Sequence, residues 1–240
     1  MFSRVFGLRV RSLLVLLACL VVVSAPSLGG AKGGGNAVAL QPDSNAFGKS
    51  CGEWAAQWWQ WATSIPAEQS PMLDETGEDA ARGQSGHVWF LAGLFSTGGT
   101  VERDVTVPSG TALFFPVYNW IWVNTPEFGD PEWSPEQEAN VRQFISDQVE
   151  AATAFSAEID GGPVDLSARR CRNEEPFMVT VPEGNIFGIP AGTYGPAVTD
   201  GYWVMLPPLP PGTHTVHFSS TQGGNTMDVT YNITVKPGKK

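Results

Sequence analysis

The feature that most constrains this chain is a cluster of tryptophans. Four of the nine tryptophans fall within eight consecutive residues, at Trp54, Trp58, Trp59 and Trp61. Ser50 followed by Glu53 forms a capping box, and Pro66 disfavours helical backbone at Ile65. The sequence therefore predicts a helix over about residues 51–64. Each indole has a large apolar surface and one N–H donor, so such a helix needs an extensive partner surface.

The four indoles do not share one face of the predicted helix. At about 100° per residue, Trp54, Trp58 and Trp61 form a stripe, and Trp59 lies about 100° from its centre. A stripe at this spacing indicates a helix docked onto the core, here onto a sheet. Trp59 has two interpretations: it makes a second packing contact, or it is exposed in a groove that binds a ligand.

The N-terminus has the pattern of a secretory signal peptide. Arg4, Arg9 and Arg11 precede an apolar run over residues 13–23, followed by small residues, and this order is typical of such signals. We assign residues 1–31 to the signal, with cleavage after Ala25 or Ala31. The run is shorter than the roughly 20 residues of a membrane span. The sequence predicts a secreted or periplasmic protein.

The residues at 16–19, Leu-Leu-Ala-Cys, weakly resemble the lipidation motif of bacterial lipoproteins. A lipidated cysteine normally opens a polar tether, whereas here apolar residues continue past Cys19 to Val23. We therefore expect Cys19 to belong to the apolar part of the signal, without a lipid anchor.

The charge balance excludes several partners. The chain has 14 Lys+Arg and 24 Asp+Glu, and removal of the signal takes away three arginines and no acids, so the net charge falls from −10 to −13. Binding to nucleic acid requires a basic face, and binding to an anionic membrane surface requires the same. We expect neither partner.

The rest of the chain predicts a mainly β fold. After a Gly-rich flexible leader at residues 32–49, short apolar runs separated by Pro and Gly favour an antiparallel β-sandwich, jelly-roll or immunoglobulin-like, as one domain over residues 50–236. Candidate strands lie at 87–92, 101–107, 111–115, 118–123, 155–159, 177–181, 202–206, 212–219 and 227–235. Ser134, Pro135 and Gln137 mark the start of an inserted amphipathic helix over about 135–152.

Two cysteines follow the predicted signal, Cys51 and Cys171. In an oxidising compartment they can form a disulfide between the tryptophan helix and a distant loop. The alternative is a pair of buried free thiols.

Several segments carry a family resemblance. The runs GKSCGEWAAQWWQWATSIP, PMLDETGEDAARGQSGHVWFLAG, VPSGTALFFPV, DGGPVDL and DGYWVMLPPLPPGTHTVHF resemble a family of uncharacterised secreted bacterial proteins, over about residues 47–235. The resemblance implies an extracytoplasmic location and no established activity. The family often has cysteines where this chain has Ala80 and Asp104, which implies that a whole disulfide is missing here.

The densest group of titratable side chains lies in residues 74–87: Asp74, Glu75, Glu78, Asp79, Arg82 and His87. The catalytic candidates among them are Asp74, Glu78, Asp79, Arg82 and His87. Carboxylates beside a histidine can perform acid–base catalysis or bind calcium. The spacing does not fit an EF-hand, because Asp79 stands where glycine is required. The third interpretation is a solvated loop whose acids cap turns.

Two classes of function remain. One is a secreted binding or structural module, in which Trp59 or Trp133 stacks on a saccharide or a small apolar ligand. The other is an extracytoplasmic hydrolase or lyase that uses the acidic loop. No phosphate-binding glycine loop or zinc spacing occurs, so we expect no cofactor, with calcium as the exception to test.

Overall fold

The computed structural model describes residues 39–95, 98–125 and 132–237. The predicted signal peptide, Cys19 and residues 32–38 of the predicted leader lie outside these residues. Within them, two α-helices and ten strands form. The helices are α1 (Cys51–Thr63) and α2 (Pro135–Glu150), and the strands are β1 (Val88–Phe90), β2 (Gly99–Pro108), β3 (Ala112–Val123), β4 (Ala152–Ile159), β5 (Gly162–Pro163), β6 (Arg170–Arg172), β7 (Phe177–Val181), β8 (Gly192–Leu206), β9 (Gly212–Gln222) and β10 (Asn225–Lys236).

The strands form two sheets packed face to face. The first has the order β1-β3-β8-β6, with β7 also paired to β8, and the second has the order β2-β10-β9-β4-β5. Inward side chains alternate with outward ones along β2, β9 and β10, as expected for a sheet with one solvated face. Phe115 of the first sheet stacks on Phe218 of the second, with centroids 5.0 Å apart. The predicted mainly β sandwich is confirmed.

Two strand pairs differ from the expected antiparallel arrangement. Strand β1 pairs with β3 in parallel, and β2 pairs with β10 in parallel along its full length. Hydrophobic alternation determines which side chains face inward, and it is the same for either strand direction. The final hairpin of β9 and β10 is antiparallel, as predicted.

Strand β3 joins two predicted strands into one. The sequence separates them at Pro116, but the chain continues through a bulge between Pro116 and Tyr118. A bulge tolerates proline and inserts one extra residue, which reverses the alternation. As a result, Trp120 and Trp122 lie on the same face of the sheet as Phe115.

Two further boundaries also differ from the sequence prediction. Helix α2 ends at Glu150 because Ala152 already begins β4, and β8 starts at Gly192, within a stretch predicted as loop. Glycine weakens a strand pattern, yet Gly201 is needed where it stands. A Cβ at this position would overlap the backbone of Tyr118 and Asn119 on β3.

The first sheet is covered on both faces. Helix α1 packs on one face, where its indoles meet Phe90, Phe114, Trp203 and Met205. The other face is covered by the second sheet and by α2, whose Ile145 and Val149 are buried. The capping boxes predicted at Ser50 and Ser134 are both present.

The leader is not free where it is described. Leu40 N–H donates to the Met205 carbonyl at 2.8 Å, and the Arg169 guanidinium donates to the carbonyls of Ala39 and Leu40. Residues 39 and 40 of the predicted leader are therefore hydrogen-bonded to the body of the domain. The Gly-rich composition of the leader predicts flexibility, but a buried arginine on a distant loop supplies the donors that hold these two residues.

Cys51 and Cys171 form the predicted disulfide, with their Cα atoms 5.8 Å apart. The bond joins the first residue of α1 to the middle of β6. Among the described residues, no helix has the length and apolar character needed to cross a bilayer.

The disulfide predicts a stability difference. The two cysteines are 120 residues apart, so the bond removes much conformational freedom from the unfolded chain. We expect the double variant Cys51→Ser/Cys171→Ser to lose about 2–5 kcal/mol of unfolding free energy, measured by urea denaturation. A reductant should move the wild-type midpoint toward that of the variant and leave the variant unchanged. Equal midpoints in the oxidised proteins would contradict the prediction.

Candidate functional site

Each indole of α1 holds a different part of the chain. The four N–H groups donate to Ala46 O (Trp54, 2.8 Å), Leu91 O (Trp58, 3.0 Å), Thr199 Oγ1 (Trp59, 3.1 Å) and Arg82 O (Trp61, 2.8 Å). The acceptors belong to the leader, the segment after β1, strand β8 and the acidic loop. Buried indole N–H groups need such partners. Helix α1 is thus hydrogen-bonded to four segments that are distant from one another in sequence.

Trp59 is buried, with 5% of its surface exposed. It stands edge-on to Trp58, with centroids 5.0 Å apart. The second interpretation, an exposed Trp59, is therefore wrong, because the indole is buried and hydrogen-bonded to Thr199 of β8. The first interpretation, a second packing contact, matches this position.

Trp59 supports a neighbouring strand. The Thr199 hydroxyl that accepts its N–H donates in turn to the carbonyl of Trp120 on β3, at 2.7 Å. Thr199 is fully buried, so this chain of two hydrogen bonds runs through the first sheet. It links α1 to β3, the strand that carries Trp120 and Trp122.

Trp120, Trp122 and Phe144 form a group that we call the aromatic corner. The ring of Phe144 on α2 is nearly perpendicular to both indoles, at 87° to Trp120 and 82° to Trp122, with centroids 6.4 Å and 5.5 Å away. Both indoles are half-buried, and Phe144 is 43% exposed. Phe144 is thus the exposed ring of the corner, and an exposed aromatic ring can contact a flat ligand.

A network of charged groups holds α2 on the sheet. Arg170 of β6 donates to both carboxylate oxygens of Asp200, at 3.0 and 2.8 Å, and also to Glu150 and Ser146 of α2. Asp200 is 2% exposed, and its hydrogen bonds raise the pKa of Arg170 above its ordinary value. Bidentate Arg–carboxylate pairs fix geometry well. This pair therefore positions the helix that carries Phe144.

The acidic loop is built around Asp74. Its carboxylate accepts from the backbone N–H groups of Thr76, Gly77 and Asp79, at 2.8 to 3.0 Å. Partial burial raises the pKa of Asp74, but the amide hydrogen bonds outweigh it and leave the pKa below its ordinary value. The Thr76 carbonyl accepts from Asp104 N–H at 2.9 Å, so the loop covers the middle of the β2 edge. Covered edges resist pairing with other chains.

A buried arginine fixes the same loop from within. Arg103 is fully buried and donates to Asp74 O (2.7 Å), Ala92 O (2.6 Å) and the Tyr231 hydroxyl (2.6 Å). Burial raises the pKa of Tyr231, so the phenol stays neutral. Charge-assisted hydrogen bonds to carbonyls compensate for part of the desolvation of the guanidinium. Arg103 thereby joins the acidic loop to the core.

The catalytic candidates do not converge. Asp79 and Arg82 form an ion pair at 3.0 Å, three residues apart. Glu78 and His87 are exposed, and no hydrogen bond joins either side chain to another candidate within the described loop. In the parts of the chain that the structure describes, no three His, Cys, Asp or Glu side chains are placed to hold a metal ion. The arrangement is that of a turn capped by carboxylates.

Trp133 stands two residues before α2 and is half-buried. It therefore retains some exposed surface, unlike Trp59. The sequence contains one signal for the corner. Trp120 and Trp122 alternate along a strand, but both faces of that strand are apolar, so alternation alone indicates a central strand.

Comparison with models of protein families, with curated proteins and with solved structures finds no match. The resemblance to a secreted bacterial family stays a prediction.

The position of Trp59 predicts how its variants behave. Trp59→Ala should lower the unfolding free energy by about 3–5 kcal/mol, as for other large core residues. Trp59→Phe keeps most of the packing but loses the bond to Thr199, so we expect a cost of about 1 kcal/mol. Leu73→Ala, at a residue 46% exposed, is the control and should change little. Denaturant unfolding measures all three, and a Trp59→Ala protein as stable as the control would contradict this assignment.

Asp74 predicts an acid-sensitive loop. A carboxyl whose pKa is lowered by folding adds stability above its unfolded pKa, near 3.9, and that stability is lost as the pH falls through the folded value. The protection of residues 76–79 against amide exchange, taken relative to their intrinsic exchange rate at each pH, should therefore fall below about pH 4. In Asp74→Asn this protection should be low already at neutral pH and depend less on acid. Identical pH profiles in both proteins would refute the role of the carboxylate.

Proposed function

We propose that the chain is an extracytoplasmic binding module and that the aromatic corner is its contact surface. The observation that carries the proposal is the exposure of Phe144 beside two half-buried indoles. Solvent-exposed aromatic rings are costly to leave uncovered and mark contact sites when they cluster. Phe144 is 43% exposed although it already touches two indoles.

The corner has the rigidity that a binding site needs. Trp120 is tied through Thr199 to Trp59, and its own N–H donates to the Tyr118 hydroxyl at 2.7 Å. Phe144 is held by α2, which Arg170 and Asp200 fix on the sheet. Rings held in place before binding lose little entropy on contact. Among the expected ligands, a saccharide suits a site of exposed ring faces, because the C–H face of a pyranose stacks on an aromatic ring.

The extracytoplasmic location is part of the same proposal. A disulfide between Cys51 and Cys171 favours an oxidising compartment, in agreement with the predicted signal peptide. A secreted or periplasmic protein meets extracellular polysaccharides directly. The acidic loop gives the alternative hydrolase or lyase no support, since the Asp74 carboxylate accepts from backbone amides and the Asp79 carboxylate pairs with Arg82.

Phe144→Ala is the direct test of the binding surface. We expect it to weaken the affinity for a bound oligosaccharide about tenfold, because one lost aromatic contact costs on the order of 1.4 kcal/mol. Soluble glucan, xylan, mannan and chitin oligosaccharides are screened by calorimetry and by quenching of tryptophan fluorescence.

Phe47→Ala is the matched control, because Phe47 is 48% exposed and has no ring contact with the corner. It should bind like the wild type. Circular dichroism and thermal unfolding verify that both variants fold. Equal loss of binding in the two variants, or no binding by the wild type, would refute the proposal.

A further inference from the structure

The residues around the aromatic corner favour a positively charged ligand. Asp147 lies three residues after Phe144 on α2, and residues at this spacing are neighbours on a helix surface. The Asp147 side chain is exposed, and the Gln143 amide donates to it at 2.7 Å. A carboxylate is therefore held beside the exposed ring.

The nearest arginines lie on the opposite side of α2. Arg142 donates to the carbonyls of Asn173 and Glu174, and Arg170 and Arg172 lie on β6, across Asp200 from Trp120. Arg142 stands two residues before Phe144 and Arg170 contacts Ser146, two residues after it, and a separation of two residues is about 200° around a helix. The remaining described cations are placed elsewhere by their contacts: Lys49 over Trp54, Arg82 with Asp79, Arg103 with Tyr231, Arg169 with the leader, and Lys236 at the end of β10 opposite Pro108.

The aromatic rings and the Asp147 carboxylate both attract a cation. The faces of tryptophan and phenylalanine attract cations through their quadrupoles, and the Asp147 carboxylate adds a direct charge interaction. The chain as a whole has a net charge of −10, which favours the approach of cations and disfavours that of anions.

We propose that the aromatic corner binds a protonated amino sugar, with the pyranose ring against the aromatic faces and the ammonium group beside Asp147. This assignment rests on the proposed binding function and names its ligand class. The ring supplies the C–H face for stacking, and the ammonium group meets the carboxylate. The same carboxylate disfavours uronic acids, which carry the opposite charge.

The test compares three trimers of equal length by calorimetry. They are a β-1,4-linked glucosamine trimer, its N-acetylated counterpart and a β-1,4-linked glucose trimer, at a mildly acidic pH where the amine is protonated. We expect the glucosamine trimer to bind about threefold to tenfold more tightly than the neutral ones. Asp147→Asn should abolish that preference and leave the affinity for the neutral trimers unchanged.

Two controls separate the specific site from general attraction to an acidic protein. Glu183→Gln removes an exposed acid on a different loop, and this variant should keep the full preference for the glucosamine trimer. Phe144→Ala should weaken the binding of all three trimers. Neutral trimers that bind as tightly as glucosamine, with dependence on Phe144, would overturn the amino-sugar assignment and leave the proposed function standing. Binding that ignores Phe144 would overturn both.

Discussion

Burial of four indoles with a hydrogen-bond acceptor for each N–H is the interaction on which the rest of the structure depends. Packing alone would hold α1 on the sheet, but the four donors also determine which segments surround it. An indole buried without an acceptor loses the solvation of its N–H. The leader, the acidic loop and β8 are therefore placed by one helix, and the strand that carries the aromatic corner is placed through Thr199.

Much of this architecture can be predicted from the sequence. The capping boxes mark the starts of both helices, and the stripe of Trp54, Trp58 and Trp61 identifies the buried face of α1, because these signals are local. The side-chain alternation of β9 and β10 identifies the final hairpin for the same reason. The pairing of Cys51 with Cys171 follows from the number of cysteines once a secreted location is assumed.

The remaining features depend on contacts between distant residues. The direction of β2 beside β10, the passage of β3 through Pro116 and the docking of the leader by Arg169 leave no periodic signal. The candidate site shows the same limit. Trp59 stands out by its angle on the helix, whereas the aromatic corner forms only because a bulge turns Trp120 and Trp122 toward α2. The titratable residues around Asp74 suggest a catalytic role, but its carboxylate accepts hydrogen bonds from three backbone amides.

The parallel pairing of β2 with β10 has a consequence for the order of synthesis. In the second sheet, the edge strand β2 comes from the middle of the chain, whereas its neighbour β10 comes from the end of the described residues. Until those residues leave the ribosome, β2 has no partner strand and the core between the sheets lacks the inward side chains of β10. Contacts across such separations form late and slowly. A nascent chain of this kind can complete its second sheet only after its last strand has been synthesised.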